Sequence, residues 1–185
     1  MLHLKPEGGF QIIYADPPWS YDDKSCSGAA EAHYSTMKFA DIAALPVADI
    51  CAPDAALFLW ATFPKIEEAL ALIPRWGFTY KTIAFSWLKF YSSGKPFFGL
   101  GRWTRGNVEP CLLAVRGKPK RVSASVSQIV AHEVTRHSEK PPVVREKIVE
   151  LMGDTPRIEL FARSAAPGWK AWGAEAPWQP EDVLL

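Results

Sequence analysis

Cysteine is scarce in this chain of 185 residues: Cys26, Cys51 and Cys111 are an odd number at unrelated spacings. Neither a disulfide framework nor a paired-ligand zinc pattern can be drawn from them, and the four histidines are scattered, so a reduced, cytoplasmic protein without a structural metal is expected. Long apolar runs are missing too. No stretch approaches the roughly 18 residues of a membrane span, and Met1-Leu2-His3-Leu4-Lys5-Pro6 carries no signal-peptide core, so neither export nor a membrane partner is expected. There is no Gly-x-Gly-x-x-Gly and no phosphate loop, which argues against a dinucleotide or a nucleoside triphosphate as cofactor. Nor does one sign of charge dominate, because the net charge is +1. The distribution is uneven, with −2 over residues 1–100 and +3 over residues 101–185. Between Arg102 and Arg121, the cations Arg102, Arg105, Arg116, Lys118, Lys120 and Arg121 face the single acid Glu109, an excess that suits either phosphates or a solvated loop.

The length fits one domain, residues 1–185, large enough to bury a core. Strand signals run over residues 10–15, 57–61, 78–90, 110–116, 127–131, 157–162 and 169–172. Helical patterns occupy residues 39–45, the segment opened by Thr62 and Pro64 and stopped by Gly77, and the segment opened by Pro141 and Pro142 and stopped by Gly153. The polar, small-residue stretch 20–36 reads as a long loop. Such alternation predicts an α/β fold, with helices on both faces of a mostly parallel sheet. Ligands of such sheets bind beyond the carboxyl ends of the strands, where Asp16, Thr62 and Arg163 fall.

Directly after the first strand comes Asp16-Pro17-Pro18-Trp19. An exocyclic amine on adenine is a poor nucleophile because its lone pair is delocalised into the ring, so a site that methylates it must draw the lone pair out and aim it. Asp16 can accept from one amine hydrogen and the Pro17 carbonyl from the other. The two prolines bias the loop towards extended geometry, which gives that carbonyl a direction, and Trp19 offers a flat face for stacking. The same residues would also make a stiff turn with a core tryptophan.

Tyr14-Ala15 precedes the tetrapeptide. Further segments follow in order: Tyr34-Ser35-Thr36-Met37, Leu57-Phe58-Leu59-Trp60, Trp76-Gly77-Phe78, Trp87-Leu88-Lys89, Gly101-Arg102-Trp103 leading to Glu109, Ser138-Glu139-Lys140-Pro141, and Glu159-Leu160-Phe161-Ala162-Arg163. Over residues 10–175 the chain resembles the adenine-N6 methyltransferases that include the catalytic subunit of the eukaryotic messenger-RNA adenosine methyltransferase, together with bacterial and phage enzymes. The resemblance implies a Rossmann-like methyltransferase fold in circularly permuted order, with S-adenosylmethionine as methyl donor. It implies catalytic roles for Asp16, Pro17, Pro18 and Trp19, and cofactor contacts for Asp16, Lys140, Glu159, Leu160, Arg163 and Glu175. Positions near the target adenosine are then Trp19, Tyr34, Glu109 and Ser138. A carboxylate at a strand end also suits the paired hydroxyls of a ribose, a physical reason for Glu159.

The chain departs from the family pattern in two places. Gly173-Ala174-Glu175 stands where members commonly show Gly-Asn and an acid or amide, and the stretch 164–168 lacks the histidine and asparagine of the eukaryotic enzymes; both imply weaker cofactor binding. With no N-terminal extension, target selection is expected from loops or a partner chain. The expected reaction is direct transfer to a flipped or unpaired adenine, without metal or covalent intermediate. The compact chain looks most like bacterial and phage members, which favours DNA over RNA as the nucleic-acid partner, and its small surface favours a homodimer on a duplex. Two rival readings stand beside this one: a catalytically silent nucleic-acid-binding member, and a methyltransferase of protein amides.

Overall fold

Five of the six residues of the first strand, Phe10–Ala15 (β1), are buried, as a strand covered on both faces requires. The computed structural model describes residues 1–21, 36–99, 101, 103–135, 139–174 and 176. After β1 come α1 (Phe39–Ala43), α2 (Val47–Ile50), β2 (Cys51–Trp60), α3 (Ile66–Arg75), β3 (Thr79–Phe90), β4 (Val108–Arg116), β5 (Ile129–Glu133), α4 (Val143–Met152), β6 (Arg157–Leu160) and β7 (Lys170–Trp172).

The strands form one sheet in the order β5-β3-β4-β2-β1-β6-β7. β1 lies near its middle, parallel to both β2 and β6. β7 is parallel to β6 and β5 to β3, while β4 alone runs against its neighbours β2 and β3. The ends of β1, β2, β3, β5 and β6 and the start of β4 therefore share one sheet edge.

Period-two alternation sorts the core into two layers. Ile13, Ala15, Leu57 and Leu59 face one way, against Ile42 of α1, Val47 and Ile50 of α2, and Ala69, Leu72 and Ile73 of α3. Ile12, Tyr14, Ala56, Phe58 and Trp60 face the other way, against Val144 and Ile148 of α4. Helices thus cover both faces, as the sequence pattern predicts. No helix among the described residues is long and apolar enough to cross a membrane.

Four of the five buried tryptophans among the described residues show an indole N–H with an acceptor, as buried polar groups require. Trp19 donates to the Trp60 carbonyl at 3.3 Å and Trp60 to the Tyr14 hydroxyl at 2.7 Å. Trp76 donates to the Ile42 carbonyl at 3.1 Å and Trp87 to that of His132 at 3.0 Å. Helix α3 stops where the sequence places its stop. Gly77 takes φ +80°, and the amides of Gly77 and Phe78 close back on the carbonyls of Pro74 and Ile73, a left-handed cap that glycine adopts without a Cβ penalty.

Candidate active site

At the carboxyl end of β1 the chain turns through Asp16-Pro17-Pro18, and the Asp16 side chain remains 25% exposed. Its Oδ2 accepts from the Lys140 ammonium at 2.7 Å, although 124 positions separate the two residues. Lys140 precedes α4 and also lies 3.1 Å from Glu109 Oε1, while Lys89 Nζ donates to Glu109 Oε2 at 2.6 Å. Two carboxylates and two ammonium groups thus alternate along one chain of contacts, Asp16, Lys140, Glu109, Lys89. Two aromatic rings support the cations, with Lys140 at 5.6 Å from the Trp60 ring and Lys89 at 4.5 Å from that of Trp87.

The titration of these groups follows from their surroundings. Burial raises the Asp16 carboxyl above its ordinary value; Lys140 opposes the rise and Glu109 adds to it, with a smaller opposing pull from Arg163. For Glu109 burial also acts upward, but Lys140 and Lys89 together outweigh it and the net shift is downward. Burial acts against the Lys140 charge, and Asp16 and Glu109 outweigh that in turn, holding the ammonium above its usual range. Lys140 is thus a fixed cation between two anions.

A second carboxylate, Glu159 on β6, lies beside Tyr14 of β1 in parallel register. Arg145 of α4 grips it with two bonds, Nε to Oε2 at 2.6 Å and Nη2 to Oε1 at 2.9 Å. Burial raises the Glu159 carboxyl, and Arg145 opposes the shift. Beyond β6, Phe161 adopts a left-handed backbone (φ +62°), and the exposed Arg163 follows on the same sheet edge as Asp16.

Several sequence expectations meet here. Asp16, Lys140 and Glu109 converge, and Glu159 and Arg163 lie on neighbouring strand ends. Three details differ. Of the two readings of Trp19, a flat face for stacking and a core tryptophan, the structure fits the second: it is only 6% exposed, and its indole is anchored to β2. What it shows to solvent borders a hollow of about 210 Å³ lined also by Ser20, Met37, Phe39 and Lys65. The side chain of Leu160 is wholly buried, so it offers a ligand no side-chain surface. The basic run from Arg102 to Arg121 is not one patch. β4 carries Arg116 to the far end of the sheet, about 30 Å from its start for nine extended residues, so Arg105 and the group Arg116, Lys118, Lys120 and Arg121 occupy opposite edges. A hollow of about 510 Å³ lies at that far edge, against Gly8, Gln11, Asp54, Lys118 and Lys120. Tyr34, Ser138, Glu175, Arg102 and Cys26 lie outside the described residues.

Pro17 supports the amine-holding geometry only in part. Its carbonyl accepts the Trp19 amide at 2.9 Å, which leaves one lone pair for a further donor. Lys89 and Arg145 are the site residues that sequence reasoning missed. Lys89 stands in the segment Trp87-Leu88-Lys89, two places from Trp87 and so on the same face of β3, but its pairing with Glu109 follows from the antiparallel register of β4. Arg145 carried no signal, because only the packing of α4 on the sheet brings it to Glu159.

The model of the MT-A70 family matches residues 10–175. The Type II methyltransferase M.MunI of Mycoplasma sp is 35% identical over 192 residues, a match that covers 93% of this chain and 80% of the relative. The N6-methyladenosine RNA methyltransferase MTA1 of Cryphonectria parasitica is 28% identical, covering 90% of this chain and 51% of the relative. The N(6)-adenine-specific methyltransferase METTL4 of Homo sapiens is 29% identical, covering 90% and 37%. The chain therefore spans most of the first relative and about half or less of the other two.

Proposed function

Because the chain belongs to the MT-A70 family, we propose that it methylates the exocyclic amine of adenine in DNA, with Asp16 and Pro17 as the groups that hold the amine. The chain is an S-adenosylmethionine-dependent adenine-N6 methyltransferase of nucleic acid. DNA is favoured over RNA because the Type II enzyme is matched at higher identity and over more of its length than the RNA enzyme. For the fold, the interior place of β1 between parallel β2 and β6 and the single antiparallel strand β4 support a Rossmann-like methyltransferase sheet in permuted chain order.

The residues at the sheet edge suit the cofactor chemically. Its amino-acid end carries an ammonium and a carboxylate, and Asp16 and Lys140 present the complementary pair side by side. Glu159, backed by Arg145, supplies acceptors for ribose hydroxyls, and Arg163 lies on the same edge. When bound, S-adenosylmethionine supplies an electrophilic methyl group.

The chain's own part is to hold and polarise the amine. Asp16 accepts from one N–H and the remaining Pro17 lone pair from the other, which turns the nitrogen lone pair out of the ring plane. Positive charge grows on the nitrogen as the new bond forms, so both acceptors bind it more tightly in the transition state than before. Lys140 and Glu109 fix the Asp16 carboxylate in place. Trp19 serves this reading as the anchor that ties the loop to β2.

The observation that carries the reading is a partly open carboxylate, Asp16, fixed by Lys140 at the end of β1. Purified protein should place labelled methyl on DNA, with N6-methyladenine found by mass-spectrometric nucleoside analysis. Incorporation into RNA in preference to DNA would overturn the choice of substrate.

A further inference from the structure

Trp103 is 99% exposed, more than any other large apolar side chain among the described residues. Residues 91–107 connect β3 to β4, and since β3 runs in the same sense as β1, this connection rises from the edge that holds Asp16. Its base is tied to the site itself. The Lys89 amide donates to the Asn107 carbonyl at 2.9 Å, while the Lys89 ammonium holds Glu109, which shares Lys140 with Asp16.

Higher up, the Phe97 amide donates to the Lys89 carbonyl at 2.9 Å and the Gly99 amide to that of Gly106 at 3.0 Å. A Cβ on Gly99 would run into the Gly106 carbonyl, and one on Gly101 into that of Thr104, so these two close approaches require glycine. This connection presents the Trp103 indole to water together with the exposed rings of Phe98 and Tyr91, and clustered apolar surface of this kind marks an interaction site. The surroundings say for what. Phe98 is 63% and Tyr91 43% exposed, Lys95 and Arg105 add positive charge, and no acid occurs between Lys89 and Glu109. Cations interleaved with exposed aromatic rings match a phosphate backbone with flat bases between.

We infer that Trp103 is a wedge for duplex DNA: it enters the base stack as the target adenine leaves it and fills the gap. The inference rests on the DNA reading above. A paired adenine cannot bring its amine to Asp16 while it stays stacked, and extrusion forfeits its stacking on both neighbours. A flat apolar ring in the vacated space restores much of that contact.

The test uses Trp103→Ala and Trp103→Phe in the full chain, at a site mapped by sequencing DNA that the wild type has methylated. Three substrates are compared: a duplex with the target adenine paired, the same duplex with an abasic position opposite it, and the single strand. For Trp103→Ala, kcat/KM on the paired duplex should fall by about tenfold to a hundredfold, the size of one lost stacking contact. On the other two substrates it should stay near wild type, and Trp103→Phe should recover most of the paired-duplex rate. The brightening of 2-aminopurine at the target position on binding should weaken in parallel. Equal losses on all three substrates, or no loss on the paired duplex, would overturn the wedge. So would a loss that tracks a shift from dimer to monomer in sedimentation, which would give the ring to a second copy of the chain. Wild-type protein inactive on every DNA would instead remove the DNA reading, and the wedge with it.

Discussion

The Lys140 ammonium stands 2.7 Å from Asp16 Oδ2, an ion pair that joins the entrance of α4 to the end of β1. It sets the charge of the carboxylate proposed to hold the amine. Burial raises the Asp16 pKa above its ordinary 3.8, and Lys140 is the strongest group opposing that rise. Asp16 must be ionised to accept from the amine, so kcat at saturating cofactor should fall towards acid pH with a midpoint above 3.8. In Lys140→Met the opposing cation is gone and the midpoint should move higher still. A pH–rate profile of the two proteins decides this, and a midpoint that stays or falls in the variant would mean that another group titrates.

Replacing Asp16 tests the chemistry without upsetting the interior. Asp16→Ala should lower kcat by at least about a hundredfold, the usual loss on deleting one group that stabilises transition-state charge. Lys140 keeps Glu109 as a partner, so the thermal midpoint should stay close to wild type. Methyl incorporation measured beside differential scanning calorimetry separates the two effects. Near-normal turnover would remove Asp16 from the mechanism.

Glu109 behaves oppositely to Asp16 with pH, although both contact Lys140. Its folded pKa lies below the ordinary 4.5, because two lysines outweigh burial. Its contribution to stability is therefore present above the unfolded value and is lost as pH falls through the folded one. Asp16, with a raised pKa, favours the fold below its unfolded value and loses that contribution as pH rises through the folded one. Glu109→Gln should cost about 2 kcal/mol at neutral pH, the worth of charge-assisted hydrogen bonds. The gap from wild type should narrow below pH 4.5. Urea titrations at several pH values test this, and a gap that widens on acidification would contradict the assignment.

The sheet was legible where local pattern decides it. β1 runs over the predicted residues 10–15, and the predicted strands at 78–90, 110–116 and 169–172 fall within two residues of β3, β4 and β7 at each end. Gly77 and Gly153 end their helices as predicted. α2 went unseen because four residues hold no period. β2 starts at Cys51, well before the predicted Leu57, because Pro53 and Asp54 break the apolar run without ending the strand. The direction of β4 was not legible, and it is what splits the basic run between two edges. Asp16 could be read from its prolines, whereas the pairing of Glu159 with Arg145 and of Glu109 with Lys89 depends on contacts remote in sequence.

Arg145 and Glu159 form a fork-to-fork pair that is mostly buried, with side chains 20% and 11% exposed. Removing one partner strands the other. Arg145→Met should cost about 3 kcal/mol, and Arg145→Met combined with Glu159→Gln should recover part of that loss, as expected when a desolvated charge is removed with its partner. If Glu159 holds the ribose hydroxyls, Glu159→Gln should also weaken S-adenosylmethionine binding in calorimetry by about tenfold, roughly one charge-assisted hydrogen bond. Unchanged affinity would make the pair purely structural.

Beneath the site, the Trp60 indole donates to the Tyr14 hydroxyl at 2.7 Å, and both residues are fully or nearly fully buried. Burial raises the Tyr14 phenol well above its ordinary 10.0, so the hydroxyl stays neutral and available as an acceptor throughout the working pH range. Tyr14→Phe removes that acceptor and leaves a buried N–H unsatisfied. Chemical denaturation should show a loss of about 1 to 3 kcal/mol. Pairing the change with Trp60→Phe should cost less than the sum of the two single losses, since the orphaned donor is then gone. Activity is tied to the same contact, because Lys140 sits 5.6 Å from the Trp60 ring and a rotated indole would release the cation that steadies Asp16. The acid limb of the Tyr14→Phe rate profile should therefore move in the direction of Lys140→Met. A variant that loses stability while its profile stays fixed would place Tyr14 and Trp60 in the core alone.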